Sequence, residues 1–315
     1  MIEDYGVVLN KINSRNLFIN GLKLSELEER RIIEIYEMAD EIAGLLGDYV
    51  SVMSFDEMLT FISENLNFTG MKIHDDALEF NYVRLRSFLD SVHRIDKALF
   101  SELLIERFCH YYRNIDEKDF LSETCGDESF TYLKNPFSDE AYDVFSEAFD
   151  DPRIKYSKTL KEAAQLASDG IITYALLPLE EGGGQRLHSV AKLIFDLDLK
   201  INSVTPVYGL DGSADMKYAL VSHGFTIPSV RDGDDLYLEI RLSNDSDLLG
   251  DILSVAKFFG CDVYRIGSLR FGEEDNERFY SIVFKSFSGT FVGLLTYLTL
   301  FINSYTPVGI YKNLE

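Results

Sequence analysis

The chain has 315 residues, 46% of them hydrophobic, and 53 acidic against 30 basic side chains give it a formal net charge of −23. That excess argues against nucleic acid, whose binding is driven by neutralising phosphates, and against an anionic membrane surface. Cys109, Cys125 and Cys261 are odd in number and far apart, so neither a disulfide framework nor a zinc site is expected.

No basic-then-apolar leader opens the sequence, and the longest apolar run, Phe291 to Ile302, is too short for a bilayer. A soluble cytoplasmic protein without metal or cofactor is the expectation.

Residues up to about Asn20 carry no strong periodicity. Ser25 with Glu28 forms a capping box before a stripe of Ile32, Ile35, Tyr36, Ala39, Ile42, Ala43 and Leu46, ended by Gly47. Ser54 with Glu57 repeats the device, and a long helix is expected over Ala77 to Tyr112. Residues 1–125 therefore read as an all-helical region, closed by an acidic linker over Asn114 to Ser129.

Phe130 to Leu133 is a candidate strand, with Ser138 placed to cap the helix after it. Thr159 and Glu162 open a further helix carrying Leu160, Ala163, Ala164 and Ala167, and Gly170 closes it. Ile171 to Leu177 reads as a strand covered on both faces and ended by Pro178. A Gly-rich turn, a helix with Leu187, Val190, Ala191 and Ile194 on one face, and a strand from Lys200 to Val204 follow. This alternation implies a parallel βαβ lobe over 126–228. Leu236, Leu238, Ile240 and Leu242 then alternate with polar residues as in a half-buried strand. They open a βαββαβ series over 229–315, so the fold class expected is α+β in three segments.

The run Ala175-Leu176-Leu177-Pro178-Leu179-Glu180, a Gly-rich turn, a helix and Asp198-Leu199-Lys200-Ile201 resembles the first lobe of prephenate dehydratases. There a similar strand ends in Pro-Ile-Glu-Asn-Ser. Phe137, Ser138 and Ala141 match the family's opening turn, and Glu180 its glutamate, while Glu181 stands for its asparagine. The family inserts a second lobe before returning through Asn-x-Thr-Arg-Phe. Here the chain passes almost directly to the strand carrying Met216, Lys217 and Tyr218 at the threonine, arginine and phenylalanine positions.

The βαββαβ series resembles an ACT domain, the regulatory module of many such enzymes. Asp247 and Gly250 match its Asp-x-Pro-Gly turn, and Ile266-Gly267-Ser268-Leu269-Arg270 corresponds to its Ile-Glu-Ser-Arg-Pro segment. Ile95-Asp96-x-x-Leu99 through Arg107 echoes the first helix of chorismate mutases, out of register by one residue, and otherwise reads as a solvated helix face carrying Arg107.

The resemblance implies a role in aromatic amino-acid metabolism, with Ser138, Glu180 and Lys217 in the lobe and Gly250 and Ser268 in the ACT-like module as ligand-binding positions. Met216 has no exchangeable proton to give a departing hydroxyl, and losing a general acid costs about 10²–10⁴-fold in rate. Two classes stay open. The chain is either a regulatory or sensing homodimer that takes a small carboxylate or amino acid, or a partner through the helical region, or it is an enzyme, a divergent dehydratase or a mutase. Whether one enclosed pocket gathers two basic side chains, Lys217 among them, discriminates between these classes. With Gly267 and Leu269 replacing the family's glutamate and arginine, phenylalanine is not expected to bind as it does in that family.

Overall fold

The computed structural model describes residues 26–67, 87, 94–124, 126–208, 214–229, 235–243, 246–270, 278–287, 289–302 and 304–314. The Ser25 half of the first capping box, residues 77–86 and 88–93 of the expected long helix, and the Glu273–Glu277 turn lie outside them. The chain divides into two compact units, 1–53 with 60–114 and 54–59 with 115–315.

In the first unit α1 (Glu26–Leu46) packs on α3 (Arg94–Tyr111). Ile32, Ile35, Ala39, Ile42, Ala43 and Leu46 are buried along α1, as the stripe predicts, and Met38 joins them. Arg107 departs from the solvated reading. It is buried, its Nε donates to Asp40 Oδ1 at 2.5 Å, and its Nη2 donates to Tyr111 Oη at 2.9 Å. A buried guanidinium needs such partners. Between α1 and α3 in sequence, α2 (Phe55–Asn67) starts at the reciprocal Ser54–Glu57 capping box.

The second unit holds one ten-stranded sheet in the order β2-β1-β3-β6-β5-β10-β7-β9-β8, with β4 paired to β3. The strands are β1 (Ser129–Leu133), β2 (Arg153–Ser157), β3 (Tyr174–Glu181), β4 (Gln185–Arg186), β5 (Lys200–Tyr208), β6 (Ala214–Ser222), β7 (Leu236–Ser243), β8 (Cys261–Arg270), β9 (Arg278–Ser286) and β10 (Tyr305–Tyr311). The helices are α4 (Pro136–Ser146), α5 (Leu160–Ser168), α6 (His188–Asp196), α7 (Ser246–Phe258) and α8 (Val292–Phe301).

Thr159 caps α5 by accepting from Glu162 N at 3.0 Å, and Gly170 follows its end at φ 66°. The lobe is not all-parallel. β6 enters between β3 and β5, antiparallel to both. Residues 236–311 form β7-α7-β8-β9-α8-β10 with antiparallel strands in the order β10-β7-β9-β8, the split βαβ arrangement. β10 also lies parallel to β5 at Gly309 and Ile201, so lobe and module share one sheet.

The stretch read as a linker is ordered. Glu117 is buried and its Oε1 accepts from Phe291 N at 2.8 Å and Thr290 Oγ1 at 2.7 Å. The carboxylate thus sits at the start of α8, where the helix dipole favours it.

Candidate functional site

β3 does not stop at Pro178. It continues to Glu181, with Pro178 opposite Tyr218 and a bulge between Pro178 and Glu180. Proline is tolerated beside a bulge because the ladder is already interrupted there. The bulge also decides where Glu180 points. Ala175, Leu177 and Leu179 share one face of β3, and simple alternation would put Glu180 on the other, beside Tyr174 and Leu176. The extra residue at Leu179 turns Glu180 onto the Leu177 and Leu179 face, opposite Lys217 of β6.

β8 uses the same device. Its register against β9 shifts between Val263 and Arg265, so Arg265 pairs with Val283, whose side chain belongs to the cluster of Leu177 and Leu179.

Glu180 and Arg265 meet on that face. The carboxylate is ion-paired to Arg265, stands 3.7 Å from Lys217 Nζ, and has Arg186 Nε at 3.5 Å from Oε1. Arg186 reaches on to Glu239 of β7, which also accepts from Ser281 Oγ at 2.7 Å and Tyr311 Oη at 3.4 Å. Glu180 and Glu239 are both buried. Buried carboxylates demand such neutralisation, since desolvation of an unpaired charge costs several kcal/mol, roughly. Burial pulls the Arg186 guanidinium down, but Glu239 and Glu180 outweigh it, and its pKa ends above the ordinary arginine value. Burial, and next Glu239, push the Tyr311 hydroxyl up, so it remains a donor.

Lys217 and Arg265 line one recess of about 260 Å³, open solvent included, together with Glu180, Tyr237, Tyr264 and Tyr311. Two basic side chains, Lys217 among them, therefore do gather in one place, with a carboxylate between them. Three cations and two carboxylates leave the cluster one positive charge in excess.

The other positions lie elsewhere. Met216 pairs with Val207 and packs in the cluster of Phe130, Tyr132 and Tyr218, on the face of β6 opposite to Lys217. Ser138 lies below that same face, on α4. It is the third residue of the helix, not its cap; Asn135 is the cap, and Ser138 Oγ donates to Leu133 O at 2.8 Å. Gly250 is exposed within α7. Ser268 is exposed on β8, opposite Tyr280.

Reading along the chain misses Arg186, Glu239, Arg265 and Tyr311. Glu239 occupies a polar place in an alternating strand, which reads as solvent-facing; β7 is instead buried on both faces over Leu236–Ile240. The available signal was a lone glutamate between Leu238 and Ile240, with an arginine to match at Arg186. Among the described residues no helix is long and apolar enough to cross a membrane.

No protein-family model matches the sequence, and no curated protein does. Among solved structures the chain is similar to a prephenate dehydratase from Streptococcus mutans at 16% identity and a TM-score of 0.49, covering 59% of this chain and 99% of that one. It is also similar to GqqA, described as a novel type of quorum quenching acylase, at 17% identity and a TM-score of 0.44, covering 59% and 96%. A prephenate dehydratase from Arthrobacter aurescens in complex with L-Phe gives 15% identity and a TM-score of 0.40, covering 58% and 90%.

Proposed function

We propose that the chain is a ligand-sensing module of aromatic amino-acid metabolism, related to prephenate dehydratase but without dehydratase activity. It acts in the cytoplasm on a small carboxylate or amino acid. The lobe over 126–228 and the module over 229–315 work as one body through their shared sheet.

One observation carries the loss of activity. Lys217, which the resemblance makes a carboxylate anchor, faces Glu180 at 3.7 Å, while Met216 in the proton donor's place points away on the other face of β6. Met216 has no exchangeable proton to give, and a dicarboxylate would have to displace Glu180 from its cations. Purified protein mixed with prephenate, with phenylpyruvate followed by absorbance, is expected to show no turnover above the uncatalysed rate. Turnover of about 1–10 s⁻¹ would overturn the reading.

A divergent dehydratase is the second reading, favoured by the convergence of Lys217 and Arg265 on one recess. Its mark would be turnover that Lys217→Ala abolishes. The mutase alternative is disfavoured by the commitment of Arg107 to Asp40.

Self-association completes the proposal. β8 ends the sheet, and Val263, Tyr264 and Ile266 on it are 38%, 52% and 44% exposed. An edge strand with exposed apolar side chains invites pairing with a second copy.

A further inference from the structure

We propose that a second recess, on the far side of Arg186 and Glu239, binds a small monocarboxylate with a compact apolar body through Arg241. This recess has about 370 Å³, open solvent included. Ala191, Ile194 and Phe195 of α6 form one wall, and Leu269 of β8 and Val308 of β10 form the other. Arg241 stands on β7 at its polar end, on the face that Tyr237 and Glu239 share.

The Arg241 guanidinium lies over the Phe195 ring at 4.1 Å and near Phe279 at 5.6 Å, so its flat face is already covered by apolar surface. Among the described residues no acidic group is ion-paired with it, whereas Arg186 beside it has both Glu239 and Glu180. Burial lowers the Arg241 pKa, with Asp198 opposing only in part. A half-buried arginine without a carboxylate pays desolvation with little return. An arriving carboxylate would restore it through the two-pronged geometry that guanidinium favours.

The same surroundings set the specificity. Glu239 lines the recess, but its charge is already matched by Arg186 and its oxygens accept from Ser281, Arg186 and Tyr311, so a ligand ammonium gains little there. A second ligand carboxylate would find no cation left for it, because Arg186 is committed to Glu239 and Glu180. The ligand class is therefore a monoanion with a branched aliphatic or similarly small body, not a zwitterionic amino acid or a dicarboxylate. This inference is independent of whether prephenate is turned over.

Calorimetric titration tests it with 4-methylpentanoate as the probe, and with 4-methylpentan-1-ol, L-leucine and acetate as the arms that remove the charge, add the ammonium or remove the body. The acid is expected to bind with a dissociation constant of about 1 mM or tighter, and each comparison compound about tenfold more weakly or worse. Arg241→Gln is expected to weaken the acid by about tenfold or more, and Arg241→Lys by less. Equal binding of acid and alcohol, equal binding of acid and acetate, tighter binding of leucine, no binding of the acid, or an unchanged constant in Arg241→Gln would each overturn the proposal. Should Arg241→Gln unfold, Leu269→Phe decides. It fills the rim, and loss of binding supports the site while unaffected binding refutes it.

Discussion

Glu180 of β3 and Arg265 of β8 are ion-paired although their strands stand six places apart in the sheet. Laid flat, six steps would separate them by about 29 Å, far beyond any side chain's reach. The sheet must therefore curl so that β7, β9 and β8 face back toward β3, which is why Tyr237, Val283 and Tyr311 share a core with Leu177 and Leu179. Removing one partner of such a pair strands the other. Glu180→Ala is expected to cost about 3–5 kcal/mol in urea unfolding. In the cycle with Arg265→Ala a coupling of about 1–3 kcal/mol should appear. Simple additivity would mean that the pair does not hold the curl.

Gly309 is where β10 meets β5. A Cβ there would lie 2.7 Å from both Cβ and O of Ile201, with no flexible end to move aside. Gly309→Ala is expected to destabilise by about 1–3 kcal/mol, read from the denaturant midpoint. A neutral result would show that the two strands separate at no cost.

Gly250 behaves in the opposite way. It sits inside α7, exposed, with nothing within 4 Å of a built Cβ. Gly250→Ala is expected to stabilise by about 0.5–1 kcal/mol, because it reduces the unfolded chain's freedom at no steric cost. A lower melting temperature would contradict the helical placement.

Burial pushes the Cys261 thiol up to about 12, with Asp262 adding and Ser286 opposing. In the unfolded chain the thiol ionises near its ordinary value, roughly 8.5. Native Cys261 thus holds its proton where the unfolded chain releases it. The stability this gives is complete below the unfolded pKa and is lost as pH rises from there toward about 12. The loss approaches about 1.4 kcal/mol per pH unit. Urea midpoints taken between pH 8 and roughly 10 should fall, and fall less steeply in Cys261→Ala. Parallel slopes would refute the assignment.

Association through β8 should be sensitive to charge at its exposed apolar residues. Ile266→Lys is expected to turn a dimer at micromolar concentration into a folded monomer in sedimentation, with the circular dichroism unchanged, since Ile266 is 44% exposed within one chain. A monomeric parent protein would sink the dimer.

Much of the framework was legible because it rests on local chemistry. The stripe on α1, the Thr159 cap, the Gly170 stop and the βαββαβ order all follow from periodicity and turn residues. What escaped is set by neighbours distant in sequence. Pro178 reads as a strand end, yet the bulge beside it lets β3 continue, and no local pattern announces a bulge. Glu239 and Arg107 read as solvated because charge usually is, but each is matched by a partner from another element, Arg186 and Asp40. Gly250 was placed in a turn by resemblance, while the residues around it keep helical spacing, with Ile252, Val255 and Ala256 buried on one side. Glu180 and Lys217 could be singled out from the sequence; that Arg265 would join them needed both the second bulge and the curl.

The position of β10 has a consequence for biosynthesis. It lies between β5 and β7, in the interior of the sheet, although every other strand precedes it in the chain. During translation, β5 and β7 must each wait with one flank unpaired until residues 305–311 leave the ribosome. Open strand flanks of this kind are aggregation-prone. Nascent chains arrested before Tyr305 are therefore the form of this protein that most needs a chaperone, and a chain that lacks β10 would keep two sticky flanks instead of one continuous sheet.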